Sequence, residues 1–222
     1  IGEGRQGDPH SGGISWNLLA ADLKEFAAFL GMKRPSIVGH SLGATLGAIA
    51  AGTHGLEVKA LVLWEPVFYR REIYQMKLTV EDHPLARMAI KRTNFWPTRR
   101  EAERYFRDKP LMRSWDEEVL QLYLRHGLVK TRGGWQLACL PQTEAALFMG
   151  GLLYDPWEDL AQVSSPVLTG EGERSTNRPY VDLPRAASLF PLGSYLNLAE
   201  AGHLLPQENP GLMADMVMGF LS

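Results

Sequence analysis

Apolar residues in "SWNLLAADLKEFAAFLGM" fall at Leu18, Leu19, Leu23, Phe26, Phe29 and Leu30, a helical spacing that stops near Gly31. "PSIVGH" then reads as a short buried strand, and "SLGATLGAIAAGTHG" as a helix of small residues able to pack close to its neighbours. "VKALVLW" is a continuous apolar run of the kind found in parallel strands covered on both faces. Strand, helix and strand within about 30 residues make a βαβ unit, which requires a parallel sheet and a right-handed crossover.

Residues 67–155 have a different texture, with long charged and aromatic stretches. "TRREAERYF" reads as a helix opened by a Thr cap after Pro97, and "DEEVLQLYLRHG" as one closed by Gly127. The earlier rhythm then returns. "SSPVLTGEGE" is a strand, "YVDLPRAASLF" a helix, "GSYLNLAEAGH" a strand with a loop, and "ENPGLMADMVMGFLS" a closing amphipathic helix. The pattern predicts an α/β fold: a mostly parallel sheet flanked by helices, built from residues 1–66 and 156–222, with a helical insertion over 67–155.

Composition narrows the function classes. The 222 residues are 45% hydrophobic, enough for one sizeable core, and carry a formal charge of −2 without any block of like charge. That balance gives no electrostatic reason to expect nucleic acid or an anionic membrane as partner. The single cysteine, Cys139, excludes an internal disulfide and reads as a small core residue. With no apolar run of membrane-spanning length and no signal-peptide pattern in "IGEGRQGDPH", a cytoplasmic location is expected.

Gly39, His40, Ser41, Leu42 and Gly43 spell G-x-S-x-G between a predicted strand and a predicted helix, the setting of a nucleophile elbow. Ser41 is thereby lifted to the carboxyl edge of the sheet, at the amino end of a helix whose dipole favours a developing negative charge. Bulky side chains at Gly39 and Gly43 are expected to clash with so sharp a turn. A serine hydroxyl needs a base. Of the six histidines, His40 lies inside the elbow and is expected to point away, and His10, His54, His83 and His126 sit in polar or insertion segments where solvated or structural roles are the default. His203, in a glycine-bearing loop directly after the last predicted strand, is the candidate.

"GEGRQGDP", "IVGHSLGA", "ALVLWEP", "SSPVLTGEGERS" and "AEAGHLLPQENP" occur in the order used by the α/β-hydrolase fold superfamily, which the chain resembles over nearly its whole length. The resemblance implies Ser41 as nucleophile, His203 as general base and then acid, and the Leu42 amide as one oxyanion donor. The family's orienting acid usually stands three residues past a glycine that ends the penultimate strand. A strand ending at Gly172 puts Ser175 there, and one ending at Gly170 puts Glu173 there. The family's other acid site, at the end of the strand after the nucleophile helix, holds Glu65, which is favoured over Glu173.

Strands that precede the glycine-rich loop in the family, and the second oxyanion donor with them, have no counterpart. The initial Ile suggests a fragment of a longer protein, and "SIVGH" is expected to be an open sheet edge through which copies can associate. The insertion is expected to cover the site, with Phe68, Tyr69, Phe95, Trp96, Trp115 and Tyr123 either lining an acyl pocket or forming lid core. Neither metal-ligand spacing nor a dinucleotide loop is present, so no cofactor or metal is expected. The function expected is serine hydrolysis of a small carboxylic ester, thioester or lactone through an acyl-enzyme. Carbon-carbon bond hydrolysis with the same triad, or a non-catalytic ligand- or partner-binding domain, are the alternatives. Dehalogenase and epoxide hydrolase chemistry of this fold uses an Asp nucleophile, which Ser41 is not.

Overall fold

Ala60–Trp64, the longest uninterrupted apolar strand, is buried at every position in the computed structural model, which describes residues 7–222. Parallel neighbours pair its backbone on both edges, and a core covers each face, Leu61 and Leu63 lying in one and Val62 and Trp64 in the other. In chain order the elements are α1 (Trp16–Phe29), β1 (Ser36–His40), α2 (Leu42–Gly52), β2 (Ala60–Trp64), α3 (Arg71–Tyr74) and α4 (Pro84–Ile90). Next come β3 (Phe95–Trp96), α5 (Arg99–Arg107), α6 (Glu117–His126), β4 (Leu128–Lys130), β5 (Trp135–Leu137) and α7 (Pro141–Gly150). The chain closes with β6 (Val167–Gly172), α8 (Leu183–Leu189), β7 (Gly193–Leu198), α9 (Leu205–Glu208) and α10 (Pro210–Leu221).

The main sheet has the order β1-β2-β6-β7, and all three pairings are parallel. Ser15–Lys77, Gly150–Pro206 and Gly211–Ser222 gather around it as one compact unit. Residues 67–77 and 150–155 therefore lie with the sheet. One face is covered by α2, whose small residues do what their size allows. Ala44, Ala48, Ile49 and Ala50 are buried, and a Cβ on Gly47 would stand 3.0 Å from Cγ2 of Ile37 on β1. Leu61, Leu63 and Phe68 complete this core, each fully buried apolar side chain contributing roughly 1.5–3 kcal/mol. The opposite core joins Val62 and Trp64 to Leu198, Leu205 and Met213.

Helix α1 forms where expected and buries only part of the expected set: Leu19 and Leu23 pack against the core of the sheet. Trp16, Ala20 and Ala27 are inside, whereas Leu18, Phe26, Phe29 and Leu30 are exposed. Alanines at the contact let the helix approach closely, with Trp16, Leu19 and Leu23 packed beside them. Strand β1 is the edge expected from its position: among the described residues it pairs only with β2, and Val38 is 49% exposed.

Residues 7–14 with Leu78–Met149 and Gln207–Pro210 form a second compact unit. Thr98 caps α5 by accepting from the Glu101 amide at 3.2 Å, and Gly127 closes α6. Trp96, Phe106, Leu120, Leu124 and Leu137 are its core, with Trp115 and Tyr123 packed against them, while Phe95 is half exposed. Phe68 and Tyr69 instead pack in the core of the sheet unit. The insertion is not purely helical, because β3, β5 and β4 make a small antiparallel sheet. Strands of two and three residues leave no periodic signal, so the sequence pattern does not reveal them. Cys139 is exposed rather than in the core. His83 is structural: it is buried, its Nδ1 accepts from the Ala86 amide to cap α4, its ring stacks on Phe148, and burial pushes its pKa below the ordinary histidine range. The glycine-rich segment at residues 2–6 lies outside the described residues.

Candidate active site

Ser41 follows directly on β1 and precedes α2, and its backbone has φ 52° and ψ −120°. A residue with a Cβ rarely adopts this conformation, which costs of order 1–3 kcal/mol. Gly39 makes the turn possible, since a Cβ there would meet the backbone N and Cα of Ala44 at 2.6 Å. Gly43 is not needed for space: a Cβ at that position would have nothing within 4 Å. The expected clash is thus real on one side of the serine and absent on the other. Leu42 is the first residue of α2, where backbone amides have no intrahelical acceptor.

Glu65 stands to β2 as Ser41 does to β1. It follows the last strand residue and has φ 51°. Its amide donates to the Gly170 carbonyl at 2.7 Å, while the Ser41 amide donates to the Trp64 carbonyl at 2.9 Å, so the parallel ladder runs on through both turns. The Glu65 side chain is 1% exposed, and a carboxylate so placed requires partners. Oε1 accepts from the Gly172 amide at 2.6 Å, and Oε2 accepts from the Ser175 hydroxyl at 2.6 Å.

His203 arrives on the loop after β7. Its Nδ1 is 2.9 Å from Oε2 of Glu65 and its Nε2 is 3.1 Å from Oγ of Ser41. The loop comes in close because Gly172 has no side chain: a Cβ there would stand 2.5 Å from the carbonyl oxygens of Ala201 and Gly202. Glu173, the other candidate acid, is exposed and accepts instead from the Glu200 amide at 3.1 Å.

His40 does not point away. Its Nε2 is 2.7 Å from the carbonyl oxygen of His203, and the two rings are 5.1 Å apart. Burial pushes the His40 pKa below the ordinary histidine range, so the ring is neutral near pH 7. A carbonyl can only accept, which places the His40 proton on Nε2. Asn177 was also not anticipated. Its Nδ2 lies 3.1 Å from Nδ1 of His203. Among the described residues there is no group of three or more His, Cys, Asp or Glu side chains able to hold a metal, and no helix long and apolar enough to cross a membrane.

A hydroxyl, an imidazole and a buried carboxylate in hydrogen-bonded series can move a proton from the hydroxyl to the imidazole while the carboxylate supports the resulting cation. Held at the carboxyl end of a parallel sheet, that series belongs to a class of α/β fold in which the strand ends carry the chemistry. The chain belongs to the alpha/beta hydrolase family, whose sequence profile matches residues 3–216.

No curated protein is significantly similar to it in sequence. Among solved structures it is similar to E-2-(acetamidomethylene)succinate hydrolase, with TM-score 0.75 and 20% identity over 94% of this chain and 74% of that one. It is also similar to the peroxisomal alpha-beta-hydrolase Lpx1 of Saccharomyces cerevisiae, with TM-score 0.79 and 16% identity over 93% of this chain and 60% of that one. A thioesterase domain from the curacin biosynthetic pathway gives TM-score 0.66 and 20% identity over 92% of this chain and 73% of that one.

Proposed function

We propose that the protein is a serine hydrolase that cleaves a small carboxylic ester, thioester or lactone through an acyl-enzyme on Ser41. The observation that carries this reading is the continuous series Ser41 Oγ, His203 Nε2, His203 Nδ1, Glu65 Oε2, with steps of 3.1 and 2.9 Å outside the ring. Oγ attacks the carbonyl carbon while Nε2 takes its proton, and the Leu42 amide supports the oxyanion. The imidazolium, stabilised by Glu65, returns the proton to the leaving oxygen or sulfur as the carbon–heteroatom bond breaks. Water then attacks the acyl carbon with Nε2 again as base, releasing the acid and restoring the Ser41 hydroxyl.

A thioesterase domain among the structural neighbours fits this substrate class. The test is labelling by a fluorophosphonate, which reacts with an activated serine. Adduct on Ser41 in the wild type and none in Ser41→Ala is the expected result. One observation favours a second reading, that of a ligand- or partner-binding domain without turnover: β1, which carries Ser41 at its end, pairs on one side only among the described residues. An intact, folded protein without adduct would favour it.

A further inference from the structure

Oε2 of Glu65 serves two donors, His203 Nδ1 at 2.9 Å and the Ser175 hydroxyl at 2.6 Å. Ser175 is 6% exposed, and its Oγ also accepts from the Asn177 amide at 3.3 Å. A hydroxyl has one hydrogen, and a backbone amide can only donate. With an ionised Glu65, these two neighbours fix the hydroxyl: its hydrogen goes to Glu65 and its lone pair to Asn177. The turn that carries Ser175 is itself tied down. The Ser175 amide donates to the Gly172 carbonyl at 3.0 Å, the Glu173 amide to the Leu198 carbonyl at 2.9 Å, and the Arg174 amide to the Ala201 carbonyl at 2.9 Å, so it is joined to β6, β7 and the His203 loop.

We infer that Ser175 is a positioning residue for the reaction proposed above, acting through Glu65. By holding Oε2 it sets the plane of the carboxylate, so that Glu65 is placed to take the Nδ1 proton of His203 and Nε2 is left free to take the Ser41 proton. Asn177 bears on the same choice. Nδ1 carries one hydrogen, and while it is given to Glu65 the ring cannot accept a second from the Asn177 amide nitrogen 3.1 Å away. The productive tautomer requires Asn177 to turn its carbonyl oxygen to the ring and share that hydrogen. The opposite orientation makes Nδ1 an acceptor, puts the proton on Nε2 and disables the base. Ser175 holds the carboxylate that accepts the Nδ1 proton, and so weights the first arrangement.

This inference rests on the hydrolase reading, and its test has one arm that does not. In the kinetic arm, Ser175→Ala is expected to lower kcat for p-nitrophenyl acetate about tenfold with KM unchanged, the size of a lost hydrogen bond to a buried charge. Ser175→Thr, which keeps the hydroxyl, should restore it. In a Glu65→Gln background the same Ser175→Ala change should alter the rate by less than about twofold, since the residue acts only through the carboxylate. An equal loss in both backgrounds would overturn the inference, because a packing role alone predicts that result. In the second arm, proton NMR follows the hydrogen-bonded Nδ1 proton of His203, assigned by its loss in His203→Gln. Its downfield resonance should vanish in Glu65→Gln, move upfield and broaden in Ser175→Ala, and persist in Ser175→Thr. An unchanged resonance in Ser175→Ala would equally overturn it. A protein that follows the NMR pattern but never turns over an ester would contradict the hydrolase reading and leave the positioning role standing.

Discussion

Ser41 and Glu65 are neighbours across the sheet, in register and alike in backbone. The residues before them, His40 and Trp64, are paired in the β1–β2 ladder, and the two have φ of 52° and 51°. Left-handed backbone at a residue with a side chain is unfavourable, and here it occurs twice side by side at strand ends, where each side chain meets His203.

The strain at Ser41 should be measurable as stability. Ser41→Gly relieves the left-handed conformation, while Ser41→Ala retains it, so the glycine variant is expected to be the more stable by about 1 kcal/mol in urea unfolding. Both should lose ester turnover. A glycine variant no more stable than the alanine variant would mean the turn is not strained.

Glu65 and Glu173 separate cleanly by substitution. Glu65→Gln removes the charge that supports the imidazolium and is expected to lower kcat by about 10²–10⁴-fold. Glu173→Gln, at an exposed side chain whose partner is the Glu200 amide, should stay within about twofold of wild type. Steady-state kinetics of the two variants decide it, and the reverse ranking would move the acid to the turn after β6.

The two glycines of the elbow should behave oppositely. Gly39→Ala forces a Cβ against the Ala44 backbone and is expected to cost about 1–3 kcal/mol. Gly43→Ala puts a methyl group into open space within α2 and should be neutral or stabilising by up to about 1 kcal/mol. Thermal melts of both variants test the contrast.

Much of this was legible from pattern. The strand β2, the helix α2 and the elbow between strand and helix follow from local residue order, and the carboxylate ending an apolar strand marks Glu65. His40 was misread because its partner, the His203 carbonyl, is 163 residues away. Asn177 gave no signal for the same reason, and Ser175, which stands at the family's usual acid position because β6 ends at Gly172, gave none of its bond to Glu65: only the fold brings the two to Glu65 and His203. The apolar spacing of α1 found Leu19 and Leu23 but not Ala20 and Ala27, which close helix packing buries and which a count of large apolar residues passes over.

Among the described residues β1 pairs only with β2, and we propose that copies associate through its other edge. Val38 is exposed beside a groove of about 330 Å³ lined by His40, Trp64, Met213, Val217 and Met218, and the strand's outer hydrogen-bonding groups can pair with a second copy. The 222-residue chain is expected to elute as a concentration-dependent oligomer in size-exclusion chromatography, and Val38→Lys to shift it toward the monomer. A monomeric wild type at high concentration would rule this out.

Activation of Ser41 by His203 and Glu65 can be read by intact-protein mass spectrometry after fluorophosphonate treatment. One adduct is expected, mapped to Ser41, formed rapidly in the wild type, slowed by orders of magnitude in Glu65→Gln and His203→Gln, and absent in Ser41→Ala. A folded wild type with no adduct, or an adduct that survives in Ser41→Ala, would contradict it.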